Sequence, residues 1–269
     1  MNAMINGIYL STMGALVQSE RNATIANNMA NVNTDGFKPD WVRVRAIPTE
    51  SEWLPDRRIN IDRILSQTGG GAWMEPTITN LRPGPFTHTG NPFDLALQDE
   101  PGSGTTSFFM VRPAGADAGT VCFTRAGHFI HCDDGVLRDP SGNTLLAPEG
   151  APVLIEAPPG AQIMIRDDGV IVWNSNGESD IAGQIGIQRT ADAAKMKKIG
   201  HSLFDPQDAA MTPWQNGLQQ HTLEKSATGA IAEMVNMIEA QRVYDLNMKF
   251  VSIQDETLGQ TVRRITASA

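Results

Sequence analysis

With 269 residues, 41% of them hydrophobic and 19% charged, the chain carries enough apolar material for one large or two modest cores, which excludes a disordered polymer. A net charge of −9 argues against nucleic acid as a main partner, because phosphate binding needs a basic face and the short patch at Lys195, Lys197 and Lys198 reads as a solvated surface. No apolar run approaches the roughly 18 residues that span a bilayer, so no membrane insertion is expected, and the N-terminus lacks the basic region, apolar core and cleavage site of a secretory leader.

In chain order, the first element is a helix from Met1 to about Ala30. Ile5, Ile8, Tyr9, Met13 and Leu16 recur at spacings of three and four, and Ala23, Ala26 and Ala30 follow as small residues that let another backbone come close. The run Asn31-Val32-Asn33-Thr34-Asp35-Gly36 stops it, since Asn and Gly tolerate left-handed conformations. The middle is irregular and then β-like. Short apolar runs at Ser107–Val111, Val121–Thr124, Ala161–Ile165 and Val170–Trp173 alternate with turn signals at Pro83-Gly84-Pro85, Asp134-Gly135, Pro159-Gly160 and Asp168-Gly169. Ser66–Ala72, with three successive glycines, reads as a flexible connection.

The last element runs from about Ala227 to Thr266 without proline, a helix of about 60 Å at 1.5 Å per residue. Tyr244, Met248, Val251, Leu258, Val262 and Ile265 form one apolar stripe; Val243, Leu246, Phe250 and Ile253 form a second, offset one. A helix with a single partner needs only a narrow seam, so two adjoining stripes predict more than one neighbour. The plainer alternative is a helix buried in its own domain. The fold class expected is α+β: long N- and C-terminal helices, a coiled-coil assembly domain, flanking a mostly β central domain. The boundaries drawn are 1–38 for the N-terminal helix and turn, 39–82 for an irregular connecting segment, 83–222 for the β-rich domain and 223–269 for the C-terminal helix.

Candidate chemistry is sparse. Asp133-Asp134 and Asp167-Asp168 imitate the paired carboxylates of a glycosidase, but each pair precedes Gly, and Asp-Gly is a hairpin turn. Cys122, His128, His131 and Cys132 are metal-binding types at a spacing that fits no usual zinc site, and no catalytic residue, metal or cofactor is assigned. A hairpin turning at Ala126-Gly127 would set Cys122 nearly opposite Cys132, at the cross-strand separation of about 4.5–5.5 Å that a disulfide accepts; two ordinary thiols are the other reading. On the long helix, Glu239 with Arg242 and Asp245 with Lys249 have the spacing of intrahelical ion pairs, or of pairs between subunits. Asn22-Ala23-Thr24 matches a glycosylation acceptor but falls inside a helix and is set aside.

Taken together, several motifs resemble the axial rod and hook proteins of the bacterial flagellum. Ile25-Ala26-Asn27-Asn28-Met29-Ala30-Asn31-Val32-Asn33-Thr34-Asp35-Gly36-Phe37-Lys38 resembles that family's N-terminal signature. Thr89-Gly90-Asn91-Pro92-Phe93-Asp94-Leu95-Ala96-Leu97 and Phe123-Thr124-Arg125-Ala126-Gly127-His128-Phe129 resemble its paired central motifs. Leu223-Glu224-Lys225-Ser226, Glu233–Ile238 and Gln241-Arg242-Val243-Tyr244 resemble its C-terminal one. The chain departs from the family at Gln98–Ser107, a polar insertion ahead of Phe108-Phe109, and at Ala227-Thr228-Gly229, where Asn-Val-Asn is common.

The resemblance implies a structural, non-enzymatic subunit of the basal-body rod that crosses the periplasm. Such a subunit leaves the cytoplasm unfolded through the flagellar type III export apparatus, without a cleaved leader. It would polymerise helically with copies of itself and other rod proteins and carry torque to the hook. The short stretch Gly183–Gln220, with Lys198–Phe204, is similar to a proximal rod member; a distal rod or hook-like subunit is the first alternative, and a carbohydrate-acting enzyme or binding module on the β-domain the second. The implied assembly interface comprises Ile5, Ile8, Leu16, Asn27, Asn28, Asn31, Gly36 and Phe37 near the start, with Met234, Ile238, Gln241, Arg242, Tyr244, Met248, Val251, Leu258 and Val262 near the end. Apolar stripes sheltered only in an assembly also imply ends largely disordered in a lone chain.

Overall fold

The computed structural model describes residues 2–47, 71–100, 102–117, 119–158, 160–175, 177–214 and 216–267, with the helical side chains described for 7–30 and 230–264. The flexible connection at 66–70 and the side chains of Ile5 and Ile265 lie outside the described residues. Two helices flank a mostly β region, so the architecture is α+β. The chain divides into two compact units: Met1–Ala30, Asp40–Ile78 and Ala230–Ala269 form the first, Asn31–Pro39 and Thr79–Gly229 the second.

The first unit is built on α1 (Asn2–Ala30) and α2 (Ala230–Ala267). They run antiparallel along one another: Gly7 lies against Gln254, Gly14 against Asn247, and the Asn22 amide donates to Gln241 Oε1 at 3.2 Å. The reason is visible in side-chain size. A Cβ on Gly7 would sit 2.5 Å from Gln254 Nε2, and one on Gly14 would sit 3.1 Å from the Asn247 amide, so glycine on α1 makes room for long polar side chains on α2. On α2 the inward residues are Met237, Ala240, Tyr244, Asn247, Val251, Gln254 and Leu258, partly or fully buried and alternating by three and four as a helix seam requires. In the single chain Asn2–Ala30 and Ala230–Ala267 are helices, and each supplies the seam of the other. No helix among the described residues is long and apolar enough to cross a membrane.

A two-stranded ribbon, Asp40–Ala46 with Ala72–Thr79, completes this unit. Asn28, 2% exposed, holds it to α1 by a two-way bond: its Nδ2 donates to the Asp40 carbonyl and its Oδ1 accepts from the Asp40 amide, both at 3.0 Å.

The second unit is antiparallel β throughout its described pairings. Its largest sheet runs, in spatial order, Lys197–Gly200, Leu203–Asp205, Cys122–Thr124, Thr106–Arg112, Thr144–Leu145, Leu137–Arg138 and Ile130–His131; Ile187–Thr190 also pairs with Thr106–Arg112 and carries Thr212–Pro213. Along the central strand Thr106–Arg112, Phe109 and Val111 enter a cluster with Phe129, Leu145 and Ile171, while Phe108 and Met110 enter another with Phe123 and Phe204. Alternate residues face opposite sides, so a strand buried on both faces reads as an uninterrupted apolar run. A three-stranded meander, Gln162–Ile165, Val170–Ser175 and Glu178–Gln184, packs beside it, and two short ribbons pair Leu95–Leu97 with Leu218–Gln220 and Phe86–His88 with Thr222–Glu224.

The hairpin placed at Ala126-Gly127 does not form. Gly127 is pressed onto the Leu95 carbonyl, its own carbonyl accepts from the Leu95 amide at 2.9 Å, and Cys122 faces Val111. The chain turns instead at Cys132–Gly135, between Ile130–His131 and Leu137–Arg138, so Cys122 and Cys132 are not opposed and both are free thiols.

Candidate assembly site

Within the second unit, three of the motifs meet at one buried carboxylate. Glu224 ends the strand Thr222–Glu224, opposite Phe86, and is 1% exposed. Its Oε1 accepts from Lys38 Nζ at 2.5 Å and from the Gly84 amide at 2.8 Å; its Oε2 accepts from Arg125 Nε at 2.9 Å. Lys38 and Arg125 are each 1% exposed. Both cations make further bonds. Lys38 Nζ reaches the Arg82 carbonyl at 2.8 Å, Arg125 Nη1 reaches Asp99 Oδ1 at 3.1 Å and the Ser107 carbonyl at 2.7 Å, and Nη2 reaches the Leu97 carbonyl at 3.0 Å. Two cations thus face two carboxylates, and the cluster is neutral. Burial pulls the Lys38 pKa below its ordinary value; Glu224 opposes this and the nearby Arg125 adds to it.

The backbone repeats the connection. The Gly36 amide donates to the Glu224 carbonyl at 2.7 Å, the Ala227 amide to the Phe37 carbonyl at 3.2 Å, and Lys225 Nζ to Asp35 Oδ1 at 2.8 Å. Lys198 Nζ stands 3.9 Å from the centre of the Phe37 ring and donates to the Lys38 carbonyl at 2.8 Å. The first segment of the β unit, Asn31–Pro39, and its last strand are therefore stitched to a common point. Desolvating these ions offsets most of their attraction, so the cluster adds specificity more than net stability: any arrangement that strands one member is heavily penalised.

Gly36 shows how tight the meeting is. It holds φ +65°, and a Cβ there would overlap the Arg125 backbone. Gly36→Val is expected to lower stability by more than about 2 kcal/mol, from left-handed strain plus the clash. Urea unfolding followed by tryptophan fluorescence measures it, and a loss within 0.5 kcal/mol, on the order of a neutral surface change, would contradict this packing.

A second buried acid organises the paired central motifs. Asp94, 3% exposed, takes Thr89 Oγ1 at 2.6 Å and Asn91 Nδ2 at 2.9 Å, with His128 Nδ1 at 2.6 Å. His131 instead stacks on Phe93 at 5.7 Å, so the histidines and cysteines of this region go to separate places. Asp134-Gly135 and Asp168-Gly169 are turns, with Gly135 at φ +79° and Gly169 at φ +81°. Asp134 Oδ1 caps the Val136 amide and Asp168 Oδ1 the Val170 amide, as hairpin carboxylates do.

In the first unit the interface residues divide. Tyr244, Val251 and Leu258 lie on the half-buried seam of α2, Ile8 is half-buried on α1, and Asn28 is buried against Asp40. Leu16, Asn27, Met234, Ile238, Gln241, Arg242, Met248 and Val262 are exposed. Gly36 and Phe37 are buried in the second unit beside the ionic cluster, and Asn31 Oδ1 accepts from Thr34 Oγ1 at 3.2 Å. The ion pairs Glu239–Arg242 and Asp245–Lys249 are not made among the described residues; Asp245 accepts from Gln241 Nε2 at 3.0 Å instead, one turn back on the helix. Of the second stripe, Leu246, Phe250 and Ile253 remain 50–57% exposed, joined by Ile231 and Val235.

Such a chain, with helical ends paired to each other and an apolar face left open, has the build of a structural subunit. The comparisons define which. The family model for the C-terminal region of flagellar basal body rod FlgEFG proteins matches residues 219–264, and that for flagella basal body rod proteins matches 10–38. The flagellar basal-body rod protein FlgG of Buchnera aphidicola subsp. Acyrthosiphon pisum is 30% identical over 273 residues, covering 95% of this chain and 98% of the relative. The rod protein FlgF of Caulobacter vibrioides is 27% identical over 264 residues, with 97% and 98% covered, and that of Escherichia coli 27% over 284, with 98% and 100% covered. The chain belongs to the family of flagellar basal-body rod proteins. It is a structural protein of the basal body, not an enzyme.

Proposed function

We propose that this protein builds part of the rod by polymerising helically through α1 and α2, with coiled-coil contacts to copies of itself and to other rod proteins, and so carries torque toward the hook. It reaches the periplasm through the flagellar type III export apparatus. One observation supports this above the rest: α2 buries one seam against α1 while Ile238, Leu246 and Phe250, each more than half exposed, remain uncovered on another face. Water contact at such a stripe is costly, and association removes it.

The test is Ile238→Pro. Proline inside α2 removes a hydrogen bond and clashes with the preceding turn, at about 3 kcal/mol or more. Motility and filament assembly are expected to be lost in cells carrying it. If swimming persists at the parental rate, the helices are not the assembly elements. A carbohydrate-binding module on the β unit would keep its activity once both helices are trimmed; a rod subunit would not.

The stretch Gly183–Gln220 supports a proximal place along the rod, whereas the 30% identity to an FlgG favours a distal one. Immunogold labelling of purified basal bodies separates them by the distance of the label from the ring that sits in the cytoplasmic membrane.

A further inference from the structure

The outward face of α1 has its own pattern. Tyr9, Thr12, Leu16, Ser19, Ala23 and Ala30 are all exposed and follow the same three-and-four spacing on the side turned away from α2. Glu20 lies on this face and is the only acidic residue in α1. On α2 the exposed apolar stripe, Ile231 to Ile253, carries two cations, Arg242 and Lys249, of which Arg242 stands at its middle, as Glu20 stands near the middle of the outer face of α1. Among the described residues neither Glu20 nor Arg242 makes an ion pair.

Resting on the rod reading, we propose that the occupant of the α1 outer face is the α2 stripe of a second copy, laid antiparallel so that Glu20 meets Arg242. That alignment places Leu16 on Leu246 and Thr12 on Phe250. It also sets the small residues around Ala23 and Ala26 against the bulky Ile238 and Val235, so the shapes agree as well as the charges. The parallel alternative also pairs the two charges, but it would run the first turns of α1 past the start of α2 at Ala230. The antiparallel one keeps all of α1 within Ala230–Ala267.

The outer stripes of α1 and α2 lie on roughly opposite sides of the helix pair. A second copy seated on one cannot also reach the other, so the contact is heterologous and repeats from copy to copy rather than closing as a two-fold dimer.

Disulfide trapping tests this on the full chain carrying Cys132→Ser, with buried Cys122 left in place and shown to give no cross-link by itself. Leu16→Cys with Leu246→Cys is expected to give a ladder of dimer, trimer and higher species on oxidation, since these outward positions cannot bridge within one chain. Tyr9→Cys with Ile231→Cys, which the parallel arrangement would join, is expected to stay monomeric. In the same assay without added cysteines, Glu20→Arg or Arg242→Glu alone should weaken sedimentable association at least tenfold, and the two together should restore it. A ladder from the Tyr9/Ile231 pair, dimers alone, or association without any cross-link overturns the register while leaving the rod role intact. No association at any concentration overturns both.

Discussion

Replacing Glu224 with alanine is expected to destabilise the β unit by about 3–5 kcal/mol, the cost of stranding a buried charge. The substitution removes the shared acceptor of Lys38 Nζ, Arg125 Nε and the Gly84 amide in a single step. Arg125 would retain Asp99, but Lys38 would keep only the Arg82 carbonyl in a setting that already disfavours its charge. For a unit of this size each kcal/mol lowers Tm by about 2–4 °C, so a fall on the order of 6–20 °C is expected by calorimetry. Lys38→Met is the informative control. It removes one cation while Glu224 keeps Arg125 and the Gly84 amide, so the loss should be the smaller of the two. If Glu224→Ala costs less than about 1 kcal/mol, the range of an exposed ion pair, the cluster is solvated and does not fix the two chain segments.

This cluster was the part of the molecule least visible in the sequence. Lys38, Arg125 and Glu224 stand inside motifs that were recognised, yet Lys38 and Glu224 are 186 positions apart, and nothing local distinguishes a buried charge from a solvated one. The one available signal is a charge enclosed by apolar residues: Phe37-Lys38-Pro39 and Leu223-Glu224. Asp99 was hidden differently, because it lies in the polar insertion Gln98–Ser107 that looked like a departure from the family, whereas its carboxylate also accepts the Ser107 amide at 2.8 Å. Glycine misled at Gly127, where close approach to Leu95 and a hairpin tip ask for the same residue.

Periodic features were easier to read. The run Phe108–Val111 announced a strand, and the spacing of Tyr244, Val251 and Leu258 announced an apolar helical stripe. Which of the two α2 stripes would turn inward was not decidable from α2, since both are apolar. The answer lay far away in the chain, in Gly7 and Gly14 on α1, whose missing side chains admit Gln254 and Asn247 and so turn Tyr244, Val251 and Leu258 of the first stripe toward the partner, with Met248 and Val262 left exposed.

That rotation makes the second large effect predictable. The double substitution Leu246→Asp with Phe250→Asp is expected to abolish assembly while leaving the fold intact. Leu246 is 57% exposed and Phe250 56%, so the single chain loses little packing and its thermal midpoint should move by less than about 2 °C, as for surface changes of a few tenths of a kcal/mol. Covering a large apolar side chain fully contributes about 1.5–3 kcal/mol, and these two begin half covered, so the contact loses about 2–3 kcal/mol of burial. Placing two carboxylates in a desolvated face adds at least as much again. A total of about 4–6 kcal/mol weakens each contact by a factor on the order of 10³ to 10⁴, enough to end a polymer held at micromolar concentrations. Cells carrying the variant should be non-motile, with the protein folded and soluble. The paired control, Tyr244→Asp on the half-buried seam, should unfold the helix pair itself and be read by circular dichroism as lost helix. Should the stripe variant swim normally, or should it lose helix to the same extent as the seam variant, the uncovered face of α2 is not where neighbouring subunits bind.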